Sequence, residues 1–312
     1  MRIVFMGTPD FAVPCLEALF AEPDFTVCGV FTQPDKPVGR KQVLTPPPVK
    51  TLAIEHGIPV YQPETLRHGD AAETIAALQP DVIVVAAYGK ILPKTVLELP
   101  PMGCVNVHGS LLPKYRGAAP IQWSVINGDA VSGVTTMQMA EGIDTGDMLL
   151  REETEIRPDE TGGSLFDRLS RMGARLLVRT LRGLAAGEIC PVPQEEAAAS
   201  YAPMLKKETA EIRWDRPARE IDCLVRGLNP WPVAWTRIYG KRLKVYGAAV
   251  RADAGPCGMA EEKDGAFLVY CGEGALELTE LQAENGKRMS GTDYLRGHPL
   301  AGRIPLGGEA EV

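Results

Sequence analysis

The chain has 312 residues, is 45% hydrophobic and 23% charged, and carries a formal net charge of −7, a balance that excludes disordered and fibrous classes and leaves room for two globular domains. No apolar run reaches the roughly 20 residues that a membrane helix needs. Seven cysteines, odd in number and without a C-x-x-C pair, exclude a disulfide framework and a zinc knuckle, so no metal is expected.

Continuous apolar runs at Met1–Gly7, Val27–Thr32 and Asp81–Tyr88 predict strands buried on both faces of a parallel sheet. Helical patterns at about Asp10–Ala21, Pro48–His56 and Ala71–Leu78 alternate with them, as in a doubly wound, Rossmann-like α/β domain. The first strand starts at Met1 or Arg2 and leaves no room for a leader peptide ahead of it, so a cytoplasmic location is expected. Gly103–His108 reads as the next strand, Pro120–Asn127 as a helix, and Val131–Met139 and Met148–Ile156 as two further strands. A long amphipathic helix follows at Thr161–Leu184, with Leu165, Leu169, Met172, Leu176 and Leu184 on or near one face.

Ala185–Pro203, rich in Ala, Pro and Glu and without periodicity, reads as a linker. The expected division is a catalytic domain over 1–188, a linker over 189–205 and a C-terminal domain over 206–312. In the last, a short helix at Pro217–Leu228 precedes strands at Ala234–Ile238, Leu243–Val250, Gly265–Val269 and Leu276–Leu281, with Gly240 as a hairpin turn. That spacing suits a small β-barrel, and oligonucleotide-binding (OB) barrels fit the description. Residues 204–251 hold 11 basic and 5 acidic side chains, a net +6, within a chain that is acidic on both sides of them. Such a stripe is either a solvated surface or a footprint for phosphate.

Gly7-Thr8-Pro9-Asp10-Phe11 stands where dinucleotide folds carry G-x-G-x-x-G, but the second and third glycines are missing, which argues against a pyrophosphate-bound cofactor. The connection from Gln33 to Pro48 is long, proline-rich and basic, whereas α/β units usually need about 2–6 residues there. Its Lys36, Arg40 and Lys41 suit a clamp on a phosphate backbone.

Asn106 and His108 lie two apart on a strand and so share a face, near the C-terminal end where open α/β sheets place ligands. A lone buried His is ordinarily structural, yet Asn-x-His ahead of a Gly-rich, Arg-containing loop is hard to assign to packing alone. Asp144 sits in Gly142-Ile143-Asp144-Thr145-Gly146-Asp147, a tight turn whose glycines permit unusual dihedrals. It either caps its own backbone or supplies a carboxylate to the pair, with Asp147 as the second candidate. Trp231 and Trp235, in the proline-rich run beside the basic stripe, read first as core aromatics and alternatively as base-stacking platforms.

Six segments together resemble the methionyl-tRNA formyltransferase family over nearly the whole chain: GTPDF at 7–11, QPDKPVGR at 33–40, AYGKILP at 87–93, NVHGSLLPKYRGAAPIQ at 106–122, GIDTGDM at 142–148 and NPWPVA at 229–234. Asn106, His108 and Asp144 alone are shared with relatives acting on glycinamide ribonucleotide, amino-sugar nucleotides or formyltetrahydrofolate itself; the remaining segments make the distinction.

The resemblance implies a Rossmann-like domain joined to an OB barrel, 10-formyltetrahydrofolate as formyl donor, initiator methionyl-tRNA as acceptor, and a monomer. It also implies a folate site at Ala87, Tyr88, Gly89, Ile91, Leu92 and Pro93 with Ser110, Leu111, Leu112 and Pro113. The tRNA would meet Lys36, Arg40 and Lys41 together with Lys206, Lys207, Arg237, Lys241, Arg242 and Lys244.

In the reaction so implied, Asn106 and His108 would hydrogen-bond the oxyanion formed by direct attack of an amine. Asp144 would orient and charge-stabilise His108, which would protonate the departing nitrogen. No covalent enzyme intermediate is required. A rival reading, transfer to a small amine such as an amino-sugar nucleotide, predicts an inert basic stripe and activity that survives deletion after about Pro203.

Overall fold

The computed structural model describes residues 1–39 and 41–307, so Arg40, expected at the phosphate clamp, lies outside the described residues. The chain begins with β1 (Arg2–Gly7), α1 (Val13–Phe20), β2 (Thr26–Phe31), β3 (Lys36–Val38), β4 (Val43–Thr45), α2 (Pro48–Glu55), β5 (Val60–Tyr61) and α3 (Ala71–Ala77). Next come β6 (Val82–Ala86), α4 (Lys94–Leu97), β7 (Cys104–His108), β8 (Arg116–Gly117), α5 (Pro120–Ile126), β9 (Val131–Gln138), β10 (Met148–Glu155), α6 (Gly162–Ala185) and β11 (Tyr201–Ala202). The remainder comprises α7 (Ala218–Gly227), β12 (Ala234–Ile238), β13 (Lys241–Arg251), β14 (Met259–Lys263), β15 (Ala266–Tyr270), β16 (Ala275–Ala283), β17 (Arg288–Ser290), α8 (Gly291–Gly297) and β18 (Ile304–Pro305).

Two compact units result. The first gathers Met1–Pro120, Ser132–Thr154 and Phe166–Ala202; the second gathers Ile121–Val131, Glu155–Leu165 and the chain from Pro203 on. In the first, a seven-stranded sheet has the order β10-β9-β7-β6-β1-β2-β5. The pairs β7–β6, β6–β1, β1–β2 and β2–β5 are parallel, and β9 runs antiparallel to β7. Ile3 to Met6 and every residue of β6 and β7 are buried, which is why these strands read as unbroken apolar runs rather than alternating ones. Helix α6 buries Leu169, Met172, Leu176, Leu177 and Leu181. A Cβ on its Gly173 would stand 2.8 Å from Val107, so the helix presses on β7 from the Val107 side. Asn106 and His108 therefore project from the opposite face.

The segment 33–48 contains a two-stranded hairpin, β3 against β4, whose Val38, Val43 and Leu44 are exposed. Its base is held by Lys50, which pairs with Asp35 at 2.8 Å and donates to Gln62 at 2.8 Å.

The second unit is an antiparallel sheet of order β12-β13-β16-β15-β14-β18, with β17 on β16. Register shifts around Gly247 in the long β13 help curl it into a half-barrel. The two ends of the path approach each other: β18 pairs with β14, and just beyond it the Gly307 N–H donates to the Arg237 carbonyl of β12 at 3.0 Å. Sequence patterning missed β14, β17, β18 and α8, which are short or lack a clean alternation of apolar and polar residues.

Candidate active site

Strand β7 delivers Asn106 and His108 to the C-terminal edge of the first sheet, where they are 8% and 6% exposed. The carboxamide of Asn106 has no hydrogen-bond partner among the described residues. Asn106 keeps a small exposed area, so its two N–H donors are open to an incoming oxygen. The His108 Nε2 lies 3.0 Å from the Tyr115 carbonyl. A carbonyl only accepts, so Nε2 carries the hydrogen and Nδ1 is the nitrogen turned toward Asp144, whose Oδ2 lies 3.7 Å away.

Asp144 has a φ of +52°, in the left-handed region that Asp tolerates better than most residues. The turn around it admits only glycine at Gly146 and crowds any larger residue at Gly142 against a side chain. A Cβ on Gly142 would meet Thr145 Oγ1 at 2.3 Å, and one on Gly146 would meet the Gln138 carbonyl at 1.7 Å. The Asp144 Oδ2 accepts the Gly117 N–H at 2.8 Å, which fixes the carboxylate beside the imidazole. Asp144 thus reaches His108, and among the described residues Asp147 does not.

The loop between β7 and β8 is folded on itself. Ser110 Oγ donates to the Lys114 carbonyl at 2.6 Å, Thr135 Oγ1 donates to the Ser110 carbonyl at 2.7 Å, and the Leu112 N–H donates to Thr135 Oγ1 at 3.1 Å. Leu112 is fully buried while Leu111 and Pro113 are partly exposed, so the four expected folate contacts at 110–113 do not share one surface.

Loops after β1, β2 and β6 meet at the same edge. Thr8 Oγ1 and Gln33 Nε2 both donate to the Tyr88 carbonyl, at 3.0 and 3.1 Å, and Gln33 also reaches the Gly89 carbonyl. Ala87 and Gly89, with φ of +45° and +77°, are exposed there, as is Ile91. The side chains of Tyr88 and Leu92 instead belong to the core under the loop. Burial pushes the Tyr88 phenol up to about 12, and its hydroxyl is an unpartnered buried group.

In the second unit the basic stripe resolves into two populations. Arg213, Arg216, Arg226 and Arg251 each pair with a carboxylate. Lys206, Lys207, Arg237, Lys241, Arg242 and Lys244 have no acidic partner among the described residues. Register places Arg237 opposite Arg242 and Trp235 opposite Lys244, so these four share one face of the β12–β13 hairpin; Lys241, opposite Ile238, falls on the other. Arg242 stacks 4.1 Å from the Trp235 ring centroid and Arg237 lies 5.5 Å from it. Arg237, Arg242 and Lys244 line a concave surface with the turn 282–286. Trp235 is itself buried, its Nε1 donating to the Lys207 carbonyl at 3.2 Å, whereas Trp231 is exposed.

Sequence reasoning did not single out Arg116, Gln194 or Ser200. Gln194 Nε2 donates to the Asp144 and Gly146 carbonyls at 2.8 and 2.7 Å, and its Oε1 accepts from Arg116 Nε at 3.0 Å. Arg116 is 1% exposed and pairs with Glu196 at 2.9 Å. Ser200 Oγ accepts the Tyr115 N–H at 2.9 Å, and β11 pairs with β8. The segment 189–205, without periodicity and read as a linker, thus bonds to the loops that carry Asp144 and follow His108. Only the polar residues among its alanines and prolines hinted at them.

Comparison with known proteins agrees with this architecture. The family profile described as "Formyl transferase" matches residues 1–181, and "Formyl transferase, C-terminal domain" matches 204–299. The methionyl-tRNA formyltransferase of Trichlorobacter lovleyi is 53% identical over 302 residues, covering 96% of this chain and 95% of that protein. That of Bacillus subtilis is 48% identical over 309 residues, covering 97% of each. Among solved structures, the N-formyltransferase of Helicobacter canadensis, in complex with folinic acid and dTDP-3-aminofucose, superposes with a TM-score of 0.66 at 18% identity, covering 91% of this chain and 100% of that one. The methionyl-tRNA formyltransferase of Clostridium thermocellum gives 0.55 at 18% identity, covering 80% of this chain and 93% of that one. The fold that carries the Asn-x-His strand end and its neighbouring Asp is matched along both of its units, and this chain is a member of the methionyl-tRNA formyltransferase family of formyl-transferring enzymes.

Proposed function

We propose that this chain is a cytoplasmic, monomeric enzyme that moves the formyl group of 10-formyltetrahydrofolate onto the α-amino group of methionine on initiator methionyl-tRNA. The observation that carries the reading is the approach of His108 Nδ1 to Asp144 Oδ2 at 3.7 Å, on the same strand end as the unpartnered carboxamide of Asn106. A flat pterin needs backbone hydrogen-bonding groups and apolar walls. The exposed loop residues Ala87 and Gly89 beside the exposed Ile91 fit that need.

A free α-amino group has a pKa of about 7.7–8, so a substantial fraction is neutral and nucleophilic near physiological pH. Its nitrogen attacks the formyl carbon, the carbonyl π pair moves to oxygen, and the Asn106 N–H groups donate to the oxyanion. Collapse breaks the bond to N10; the proton lost by the attacking nitrogen passes to His108, Asp144 balances the charge on the imidazolium so formed, and His108 returns a proton to the departing N10. In this structure the His108 Nε2–H rests on the Tyr115 carbonyl, and substrate takes over that donor as the complex forms. No protein nucleophile takes part. The tRNA phosphates meet Arg237, Arg242 and Lys244 on an OB-type barrel, along with Lys206, Lys207 and the basic hairpin at Lys36 and Lys41. Lys241 lies on the other hairpin face and contributes less.

A transfer assay with formyl-labelled donor tests the reading against methionyl-tRNA, uncharged tRNA, free methionine and an amino-sugar nucleotide. Label is expected on methionyl-tRNA alone. Label on the sugar nucleotide, with none on charged tRNA, would overturn the proposal.

A further inference from the structure

We propose that Gln194 is a positioning residue for formyl transfer, acting through the backbone of Asp144. The inference rests on the roles proposed for His108 and Asp144 and extends them to a side chain outside their loops. The carboxamide of Gln194 is satisfied at three points. Both N–H groups go to carbonyls of the Asp144 turn, at Asp144 and Gly146, and the oxygen accepts from a guanidinium N–H. Only one orientation of the amide does this, because carbonyls cannot donate and a guanidinium cannot accept.

The geometry explains why such a brace is needed. Asp144 is held at φ +52°, a region that Asp tolerates better than most residues but still occupies at a cost its surroundings must offset. On one side the Gly117 N–H holds the carboxylate at 2.8 Å; on the other Gln194 holds the backbone of the same residue. Arg116, buried and anchored to Glu196, fixes Gln194 in turn. Arg116 and Gly117 form β8, which is paired with β11 at Tyr201 and Ala202. One stretch of chain, 194–202, thus braces both the carboxylate turn and the strand that presents a backbone N–H to it.

The Gln194→Glu variant is the sharpest probe. It keeps the length and the acceptor for Arg116, strengthens that pair with a charge, and replaces the nitrogen that gives both donors to the Asp144 turn with an oxygen that repels its carbonyls. Steady-state formylation is expected to show kcat lowered about 10- to 100-fold, the loss that follows from misplacing a reacting group by about an ångström. KM for methionyl-tRNA and for the folate should stay within about twofold of wild type, because the Gln194 amide spends its hydrogen bonds within the protein. In an Asp144→Ala background the same substitution should have no further effect on kcat, since the residue it acts through is gone.

Equal kcat losses from Gln194→Glu with Asp144 present and absent would overturn the inference in favour of a purely structural role, as would wild-type kcat in the single variant. A Gln194→Glu protein that melts early is assayed below its transition, where the comparison of backgrounds still decides. Active His108→Ala and Asp144→Ala enzymes would instead remove the proposed chemistry itself. Inactive ones beside a fully active Gln194→Glu would remove only the positioning role.

Discussion

Replacing Asp144 with Asn separates the charge of this residue from its shape. Asn offers an oxygen that can accept the Gly117 N–H, now 2.8 Å from Oδ2, and it tolerates a φ of +52°. What disappears is a negative charge 3.7 Å from His108 Nδ1, between side chains that are 7% and 17% exposed. Two opposite unit charges at about that distance interact by about 4 kcal/mol at an effective dielectric near 20, and desolvation of the two ions offsets part of it. A net loss of roughly 2–3 kcal/mol in the step where the imidazole is charged lowers kcat on the order of 10²-fold. Labelled-formyl transfer at saturating substrates gives kcat, and calorimetry should place Tm within about 2 °C of wild type because no hydrogen bond is removed. An Asn variant that melts normally and turns over within about threefold of wild type would refute the electrostatic role of Asp144.

Tyr88→Phe deletes a buried hydroxyl without a partner, which costs about 1–3 kcal/mol to bury, so thermal melting should show Tm unchanged or raised; a fall of several degrees would mean that the hydroxyl is bonded. Substituting Arg237 and Arg242 together with Ala should weaken tRNA binding and flatten the plot of log K against log salt by about one unit for each phosphate no longer neutralised, whereas an unchanged slope would place the tRNA elsewhere. Burial pushes the thiols of Cys15, Cys104 and Cys271 up to about 12, so a thiol reagent at neutral pH should label exposed Cys190 and Cys257 quickly and those three only after unfolding. Rapid labelling of Cys15 or Cys104 in native protein would contradict the packing around them.

Much of the site was legible because its signals are local. Alternation along β7 puts Asn106 and His108 on one face, and the glycines at 142 and 146 mark a tight turn, in which the second position has no room for a side chain. The residues that hold these groups in place were not legible. Gln194 reaches carbonyls 48 and 50 positions earlier and Ser200 an N–H 85 positions earlier, and hydrogen bonds of that span leave no periodicity in the segments that make them. An unpatterned, proline-containing stretch therefore reads as a linker. The basic stripe was visible as composition, but separating the paired Arg213 and Arg226 from the unpaired Arg237 and Arg242 required the cross-strand register of β12 and β13. Similarly, Tyr88 and Leu92 share a loop with Ala87 and Ile91 yet turn into the core, a distinction set by positive φ at Ala87 and Gly89 that neighbouring side chains do not reveal.

The central claim is that a donor on β7 stabilises the oxyanion of a direct transfer from donor to acceptor. A quenched-flow single-turnover experiment with formyl-labelled donor and methionyl-tRNA, run on wild type and Asn106→Ala at saturating concentrations, addresses it most directly. The account predicts that label passes to tRNA with none trapped on protein, and that the transfer step slows by about 10²–10³-fold in the variant. Labelled protein appearing ahead of product, or equal transfer rates in the two enzymes, would contradict it.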